Sequence, residues 1–274
     1  LARRNCVMDK LERVFNPRSV AVVGSKQVDN HSWLRTVLPF EGPKYHINVD
    51  QSEWASATEL GFPNFSSLLD VPDEVDFVIV SVPAQIVPRV LKDCIAKGVA
   101  GVHLYTAGFS ETGTEEGIRL ENQIVEMATE GGLNVVGPNC MGIFNPKVGI
   151  GVNLGRYHGE YGHLAFISHS GSQSGAFGQG SSFHNLKVSK LVSMGNGVIL
   201  DSHDYLDYFC QDSDTRVIGM YLEGIRNGPR FFETLRRVSE QKPVLVWKVG
   251  ETEDAGRAVS NHSTSATSDP AVWD

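Results

Sequence analysis

Serine and glycine residues with the spacing of an anion site follow an apolar stretch near the middle of the chain. Residues 164–168 are Leu-Ala-Phe-Ile-Ser, typical of a buried strand, and residues 169–175 are His-Ser-Gly-Ser-Gln-Ser-Gly. A helix-compatible run follows, predicted to begin at about residue 173. Because the first N–H groups of a helix lack intrahelical acceptors and lie at its positive end, this turn predicts a phosphate site. Serine caps on an ordinary helix are the alternative explanation.

A carboxylate and a histidine further along the chain could also take part in chemistry. Glu223 follows the apolar residues Tyr221 and Leu222, and a glutamate buried at a strand end needs a partner or is neutralised. The alternative is a solvated carboxylate in the following loop. His262 lies in the polar stretch 260–265, where an isolated histidine is ordinarily a solvated loop residue.

The positioning elements belong to an alternating α/β pattern. Apolar runs at 19–24, 45–49, 76–82, 101–105 and 134–136 predict strands, and the runs 84–97 and 114–130 predict helices between them. This order predicts a parallel sheet with helices on both faces. After an irregular break at 143–162, strands are predicted at 164–168, 188–193, 216–222 and 243–247. Asp201 is predicted to cap a helix with Asp204 in a variant capping box, and another helix is predicted at 229–239.

Length and composition favour two domains without a nucleic-acid or membrane role. We place them at residues 8–150 and 160–274 of the 274-residue chain, with Met8 as a candidate natural start. The formal net charge of -8 argues against nucleic-acid binding, and no apolar run has the length of a membrane span. Four widely spaced cysteines without a C-x-x-C pair fit a reducing cytoplasm and argue against a zinc site. No H-x-x-x-H pair supports a histidine metal site.

Two glycine-containing turns at predicted strand ends are further ligand-binding candidates. Residues 20–26 are similar to the first βα turn of a Rossmann unit, but only Gly24 of the three fingerprint glycines is present. A plain turn explains this segment about as well. Residues 137–142, Gly-Pro-Asn-Cys-Met-Gly, follow another strand at the edge where open α/β sheets bind ligands. A rigid turn before the second domain is the alternative.

Taken in chain order, these segments resemble the α part of the NDP-forming acyl-CoA synthetases, the superfamily of succinyl-CoA synthetase. The resemblance is carried by residues 15–24, 82–84, 106–113, 137–142, 167–171, 193–196, 221–224 and the loop around His262. Collinear motifs are far more specific together than any one of them. The resemblance implies a CoA-binding Rossmann-like domain followed by a flavodoxin-like domain with a phosphohistidine, in a cytoplasmic, oligomeric ligase.

Such enzymes interconvert acyl-CoA, ADP or GDP, and phosphate with a carboxylic acid, CoA and ATP or GTP. By resemblance, His262 carries the phosphoryl group and Glu223 orients it. CoA is implied to lie along Gly24, Ser25, Lys26, Val82, Pro83, Thr106, Ala107 and Gly108, with Asn139 and Cys140 near the thioester and Ser170, Gly171 and Ser172 around the phosphoryl group. ADP or ATP with Mg²⁺ is implied on an ATP-grasp partner, a β-type subunit or a continuation of the polypeptide. His169 occupies a variable position of the Ser-x-Ser-Gly turn and is expected to be a bystander.

Three features depart from the family pattern. The loop at 261–269 lacks the family's glycines and is one residue shorter. The CoA-domain turn lacks an extra glycine, and residues 48–50 are Asn-Val-Asp where Asn-Pro-Lys is expected; Lys26 or Arg35 is a candidate to compensate. Nothing in the chain resembles the third α-type domain or the ATP-grasp module.

The departures leave two alternative functions open. One is a non-catalytic CoA or acyl-CoA sensor, a module found fused to protein acetyltransferases, which the altered loop around His262 motivates. The other is a Rossmann dehydrogenase, which the lone Gly24 makes weak, with Asp50 as the only candidate for the acid that binds the ribose.

Overall fold

The first of two sheets has six strands, all parallel. The computed structural model describes residues 2–151 and 160–250. The strands are β1 (Val20–Val23), β2 (Lys44–Ile47), β3 (Asn64–Phe65), β4 (Phe77–Val80), β5 (Gly101–Leu104) and β6 (Asn134–Val136). Their order, β3-β2-β1-β4-β5-β6, is that of a doubly wound Rossmann sheet, which binds ligands where the order reverses beside β1.

Helices cover both faces of this sheet. They are α1 (Ala2–Phe15), α2 (Ser32–Arg35), α3 (Trp54–Glu59), α4 (Val87–Lys97) and α5 (Glu115–Glu130). Thr114 caps α5 by accepting from the Gly117 N–H, and Pro88 lies in the first turn of α4, where its missing N–H is harmless. None of the helices within residues 2–151 and 160–250 is long and apolar enough to cross a membrane.

The second sheet has four parallel strands and one antiparallel edge strand. These are β7 (Gly142–Phe144), β8 (Leu164–Ser168), β9 (Val188–Ser193), β10 (Val217–Leu222) and β11 (Val244–Lys248), flanked by α6 (Gly171–Phe183), α7 (Ser202–Gln211) and α8 (Gly228–Ser239). The order is β11-β10-β8-β9-β7, with β7 antiparallel to β9. The parallel part, β9-β8-β10-β11, follows the flavodoxin-like order, so the predicted fold class is confirmed.

Three local details refine the elements predicted from sequence. The capping box of Asp201 and Asp204 at the start of α7 is present as predicted. Helix α6 begins at Gly171 and not near residue 173, because Ser170 already serves as its N-cap. Strand β7 joins the second sheet although it precedes the predicted boundary at residue 150. The sequence did not predict β7 because three residues are too few to show the apolar–polar alternation of a strand.

The two sheets share a continuous apolar core. Phe15, at the end of α1, stacks on Tyr208 of α7 with ring centroids 4.8 Å apart. The Asn145 side-chain amide donates to the Phe15 carbonyl at 2.7 Å, and the Tyr208 hydroxyl donates to Glu12 at 2.8 Å. The same buried cluster contains Val22 of the first sheet and residues of the second. This packing fixes the carboxyl edges of the two sheets relative to each other.

Candidate functional site

At the start of α6, a strand, a serine-rich turn and a helix N-terminus follow one another, as the sequence predicted for an anion site. Strand β8 ends at Ser168, whose hydroxyl accepts from the Ser170 N–H at 3.1 Å. Ser170 is extended and its hydroxyl accepts from the Gln173 N–H at 3.3 Å. The N–H groups of Gly171 and Ser172 belong to the first turn and have no intrahelical acceptor, so they are available to a ligand.

This helix start opens onto a cavity between the two domains, which we call the interdomain cavity. Its volume is about 550 Å³. The lining residues come from the ends of first-domain strands, from β7 and from α6: Tyr105, Ala107, Asn139–Phe144, His169, Gly171, Ser172, Ser174, Gly175, Gly178, Gln179, Leu191 and Gly195. A Cβ on Gly171 would lie 2.6 Å from Met141 Cγ. Glycine therefore allows the helix start to approach the 137–142 turn of the first domain closely.

Glu223 and His169 lie together, buried behind the start of α6. Glu223 is 4 % exposed, so the alternative of a solvated loop carboxylate is wrong. Its backbone N–H donates to His169 Nδ1 at 3.3 Å, and the His169 N–H donates to the Tyr221 carbonyl at 3.2 Å. From the sequence, His169 is expected to be a bystander; in the structure the residue is buried beside Glu223 and is among those that line the interdomain cavity.

Burial sets the ionisation of the His169 ring. Desolvation lowers its pKa to about 4; the nearby Asp201 opposes this effect, and Arg226 and Lys248 reinforce it. The ring is therefore neutral at physiological pH. The Lys248 ammonium group also donates to the Glu223 carbonyl at 3.3 Å, which brings a cation to the end of β10.

Asn196 ties the second domain to the ligand-binding turns of the first. It is fully buried, and its Nδ2 donates to Glu111 at 2.8 Å and to Glu121 at 2.9 Å. Glu111 in turn accepts from the Gly108 N–H at 2.6 Å. The Asn196 N–H donates to the Pro138 carbonyl at 3.0 Å. Residues on both sides of the interdomain cavity are thus joined by a hydrogen-bonded network.

A second cavity, the first-domain cavity, lies at the switch point of the first sheet. It has a volume of about 300 Å³ and is lined by Val23, Gly24, Lys26, Ile47–Asp50, Ser66–Leu68, Ser81–Pro83, Ile86, Arg89, Val90 and Asp93. A Cβ on Gly24, at φ +88°, would lie 2.4 Å from Val82 Cγ1 and 2.5 Å from the Ser81 carbonyl oxygen. A glycine turn beside two cations, Lys26 and Arg89, suits the phosphates of a nucleotide such as CoA.

The loop after β5 joins the two cavities along the chain. The Thr106 hydroxyl donates to the Val82 carbonyl at 2.7 Å, next to the first-domain cavity. Ala107, the next residue, lines the interdomain cavity. A ligand with one end at Gly24 and the other at Asn139 would therefore pass this loop. That is the shape of CoA, with a nucleotide at one end and a thiol at the other.

The structure groups the predicted site residues as follows. Gly24, Lys26, Val82 and Pro83 line the first-domain cavity, and Ala107, Asn139, Cys140, Gly171 and Ser172 line the interdomain cavity. Ser25 is fully buried behind the turn, Thr106 and Gly108 hold the loop between the cavities, and Ser170 caps α6. His262 lies outside the described residues.

Two predicted residues are committed to contacts within the protein. The Cys140 thiol lies 3.6 Å from the carbonyls of Leu104 and Val136, and burial raises its pKa to about 12. The thiol is therefore protonated at neutral pH. Arg35, considered as a substitute cation for the turn at Gly24, donates to the Asn30 carbonyl at 2.8 Å. Lys26 and Arg89 are the cations among the residues that line that cavity.

Sequence reasoning missed Arg89 and Asn196. Arg89 lies in the first turn of α4, two residues after the helix begins at Val87. A cation in the first turn of a helix that follows a strand end was the feature that could have indicated a phosphate contact. Asn196 belongs to the segment 193–196, Ser-Met-Gly-Asn, which carries part of the family resemblance. Its hydrogen-bond partners Glu121 and Glu111 are 75 and 85 residues away in the chain. No local pattern predicts such pairings.

The fold and the site define a two-domain α/β protein with a glycine turn at the switch point of its first sheet, and two family models match its domains. Residues 18–146 match the model of a CoA binding domain, and residues 161–274 match that of the succinyl-CoA ligase like flavodoxin domain. Both matches agree with the resemblance of the sequence to the NDP-forming acyl-CoA synthetases. The dehydrogenase alternative is therefore wrong.

Curated relatives and a solved structure of this family resemble the chain over nearly all its length. It is 36 % identical to acetate–CoA ligase (ADP-forming) I of Archaeoglobus fulgidus, covering 93 % of this chain and 37 % of the relative. It is 35 % identical to the α subunit of the corresponding Pyrococcus furiosus enzyme I, covering 96 % and 58 %. A structure of acetyl-coenzyme A synthetase 1 from Ca. Korarchaeum cryptofilum with phosphate and ADP superposes with a TM-score of 0.85, at 36 % identity, over 96 % of this chain and 56 % of that one. The chain thus spans between about a third and three fifths of these proteins.

Proposed function

We propose that the chain is the CoA-binding and phosphohistidine part of an ADP-forming acyl-CoA synthetase. The full enzyme interconverts acyl-CoA, ADP and phosphate with a carboxylic acid, CoA and ATP. The observation that carries the proposal is the start of α6, which opens onto the same cavity as Ala107 and Asn139. A phosphate at the helix start would there meet a thioester that passes the 106–108 loop.

The first chemical step is attack by a phosphate oxygen on the thioester carbonyl. The C–S bond breaks, the thiolate of CoA leaves and takes a proton, and an acyl phosphate forms. The backbone N–H groups of Gly171 and Ser172 stabilise the phosphate charge without adding a titratable group. Phosphoryl chemistry depends mainly on such placement and charge stabilisation.

In the second step a neutral His262 nitrogen attacks phosphorus, the P–O bond to the acyl group breaks and the carboxylate leaves. A carboxylate that accepts the other ring N–H fixes the tautomer and supports the developing positive charge, which is the role we assign to Glu223. The phosphohistidine then delivers its phosphoryl group to ADP, held with Mg²⁺ on an ATP-grasp module. That module is a β-type partner subunit or a further part of the same polypeptide.

Thiol release tests this proposal directly. The full-length protein with its ATP-grasp module is given a panel of acyl-CoA thioesters, and free CoA is measured with a thiol reagent. We expect release that requires both ADP and phosphate, with the preferred thioester identifying the acid. Binding of CoA without such turnover for any thioester would contradict the proposal and support a CoA sensor instead.

A further inference from the structure

The interdomain cavity extends along α6 well beyond the anion site at the start of that helix. Gly171, Gly175 and Gly178 all line it. Because a helix rises about 1.5 Å per residue, Gly178 lies roughly 10 Å along the axis from Gly171. The volume of about 550 Å³ is more than three times the roughly 150 Å³ of a cavity that holds benzene in a protein core. Acetyl phosphate is only slightly larger than benzene, so it would leave much of the cavity empty.

The three glycines lie on one face of α6, and that face is turned toward the cavity. Residues four and seven apart in a helix share a face, so side chains at these positions would point the same way. A Cβ on Gly171 would lie 2.6 Å from Met141 Cγ, and one on Gly178 would lie 3.9 Å from Leu191 Cδ1. Met141 and Leu191 both line the interdomain cavity. The direction of the face is therefore fixed at both ends.

Gly175 leaves the middle of this face open. No heavy atom lies within 4 Å of the position that a Cβ would take there. The residue is not at positive φ, so neither its backbone angle nor a close packing contact requires glycine. Glycine is nevertheless less stable than alanine inside a helix. A side chain at this position would enter the cavity, and its absence keeps a space free one helical turn beyond the anion site.

Residues with apolar side chains border this space: Met141, Ile143, Phe144 and Leu191. An acyl chain that lies against them gains affinity with every methylene group it buries, about fourfold for each. An acetyl group offers one methyl for this contact. It would leave the remaining space to water, which is held stably only where polar partners are at hand.

We propose that the full enzyme acts on acids with a branched or aromatic acyl group, and that Gly175 determines this specificity. The acyl chain extends from the thioester near Asn139 along the glycine face of α6, while phosphate binds at the helix start. Gly175 takes no part in the chemistry and acts by leaving room. The inference rests on the proposed function for the reaction, although the preference for large acyl groups can be measured by binding alone.

Two leucine substitutions on different faces of α6 test this specificity. Gly175→Leu places a side chain in the cavity. Gly180→Leu makes the same change roughly 140° around the helix axis, at a residue that does not line the cavity. At both glycines no heavy atom lies within 4 Å of the Cβ position, so both variants should fold. Gly175→Ala, which adds a single methyl group, is the milder cavity variant.

The readouts are kcat/KM for CoA release and the dissociation constant by calorimetry, each with acetyl-CoA, isobutyryl-CoA and phenylacetyl-CoA. The full-length protein with its ATP-grasp module is used throughout. We expect the wild type to prefer the two bulky thioesters over acetyl-CoA at least about tenfold, because they bury two or more additional carbon groups. Gly175→Leu should lower this preference at least about tenfold and Gly175→Ala about threefold, while Gly180→Leu keeps it within about twofold.

A wild type that does not prefer the bulky thioesters would overturn the inference, as would an equal change of preference in Gly175→Leu and Gly180→Leu. Absence of ADP- and phosphate-dependent CoA release with every thioester contradicts the proposed function alone. The dissociation constants then decide the inference, because the same order of thioesters and variants is expected in binding.

Discussion

At Gly24, which lines the first-domain cavity, the chain has no room for any side chain. The turn after β1 passes so close to the end of β4 that a Cβ there would lie 2.4 Å from Val82 Cγ1. Gly61 has almost the same backbone angle, φ +87° against +88°, but no heavy atom lies within 4 Å of its Cβ position. Substituting each glycine by alanine therefore distinguishes two free-energy costs. A left-handed alanine arises at both positions, whereas a steric clash of the Cβ arises only at Gly24.

We expect Gly24→Ala and Gly61→Ala to differ in both stability and CoA binding. Each introduces a left-handed alanine, which costs roughly 1–2 kcal/mol. Only Gly24→Ala also displaces Ser81 and Val82, so it loses stability beyond Gly61→Ala and weakens CoA binding at least about tenfold, the equivalent of a hydrogen bond or two. Urea unfolding and calorimetric titration with CoA measure both effects. Equal CoA affinity in the two variants would show that the Gly24 turn does not hold CoA.

At the scale of elements, the turn between β9 and α7 connects the two domains. Asn196 within it donates to Glu111 and Glu121 of the first domain, and the Arg226 guanidinium donates to its carbonyl at 2.9 Å. A neutral amide is needed here because two carboxylates face it. The same turn approaches the first domain closely, since a Cβ on Gly195 would lie 2.2 Å from the Pro138 carbonyl oxygen.

Asn196→Asp should therefore disturb the contact between domains more than its small change of shape suggests. It replaces a donor with a third carboxylate in a buried site, at a cost of at least about 2 kcal/mol. Asn185→Asp, at an exposed position, makes the same chemical change as a control. Thermal unfolding should show a marked loss for Asn196→Asp only, and adding Glu121→Gln should recover part of it. Indistinguishable unfolding of both single variants would refute this role of Asn196.

Elements that bury apolar residues with a clear period could be predicted from the sequence, and elements defined by distant contacts could not. The strand predicted at 188–193 matches β9 to the residue, and Asp201 with Asp204 marked the start of α7. Strand β7 has three residues and is defined only by its pairing with β9. The position of His169 against Glu223 depends on two parallel strands, β8 and β10, ending side by side. The residues next to His169 and Glu223 in the sequence do not indicate that these two residues meet.

At the scale of the whole molecule, the chain holds two of the parts that the proposed reaction requires. The Rossmann sheet offers the first-domain cavity, the flavodoxin-like sheet offers the start of α6, and the shared core around Phe15 and Tyr208 fixes them to one another. Curated relatives extend well beyond the matched region, and the chain covers 37 % of one and 58 % of another. ATP synthesis is accordingly a property we propose for the complete assembly.

Labelling with γ-³²P-labelled ATP shows whether His262 carries the phosphoryl group, as we propose. The full-length protein with its ATP-grasp module is labelled, and the modified residue is located by mass spectrometry. We expect an acid-labile label on His262 that ADP removes and that His262→Ala abolishes. His184→Ala, at an exposed position, should leave the label intact. A label that persists in His262→Ala, or unchanged turnover by that variant, would show that His262 is not the phosphoryl carrier.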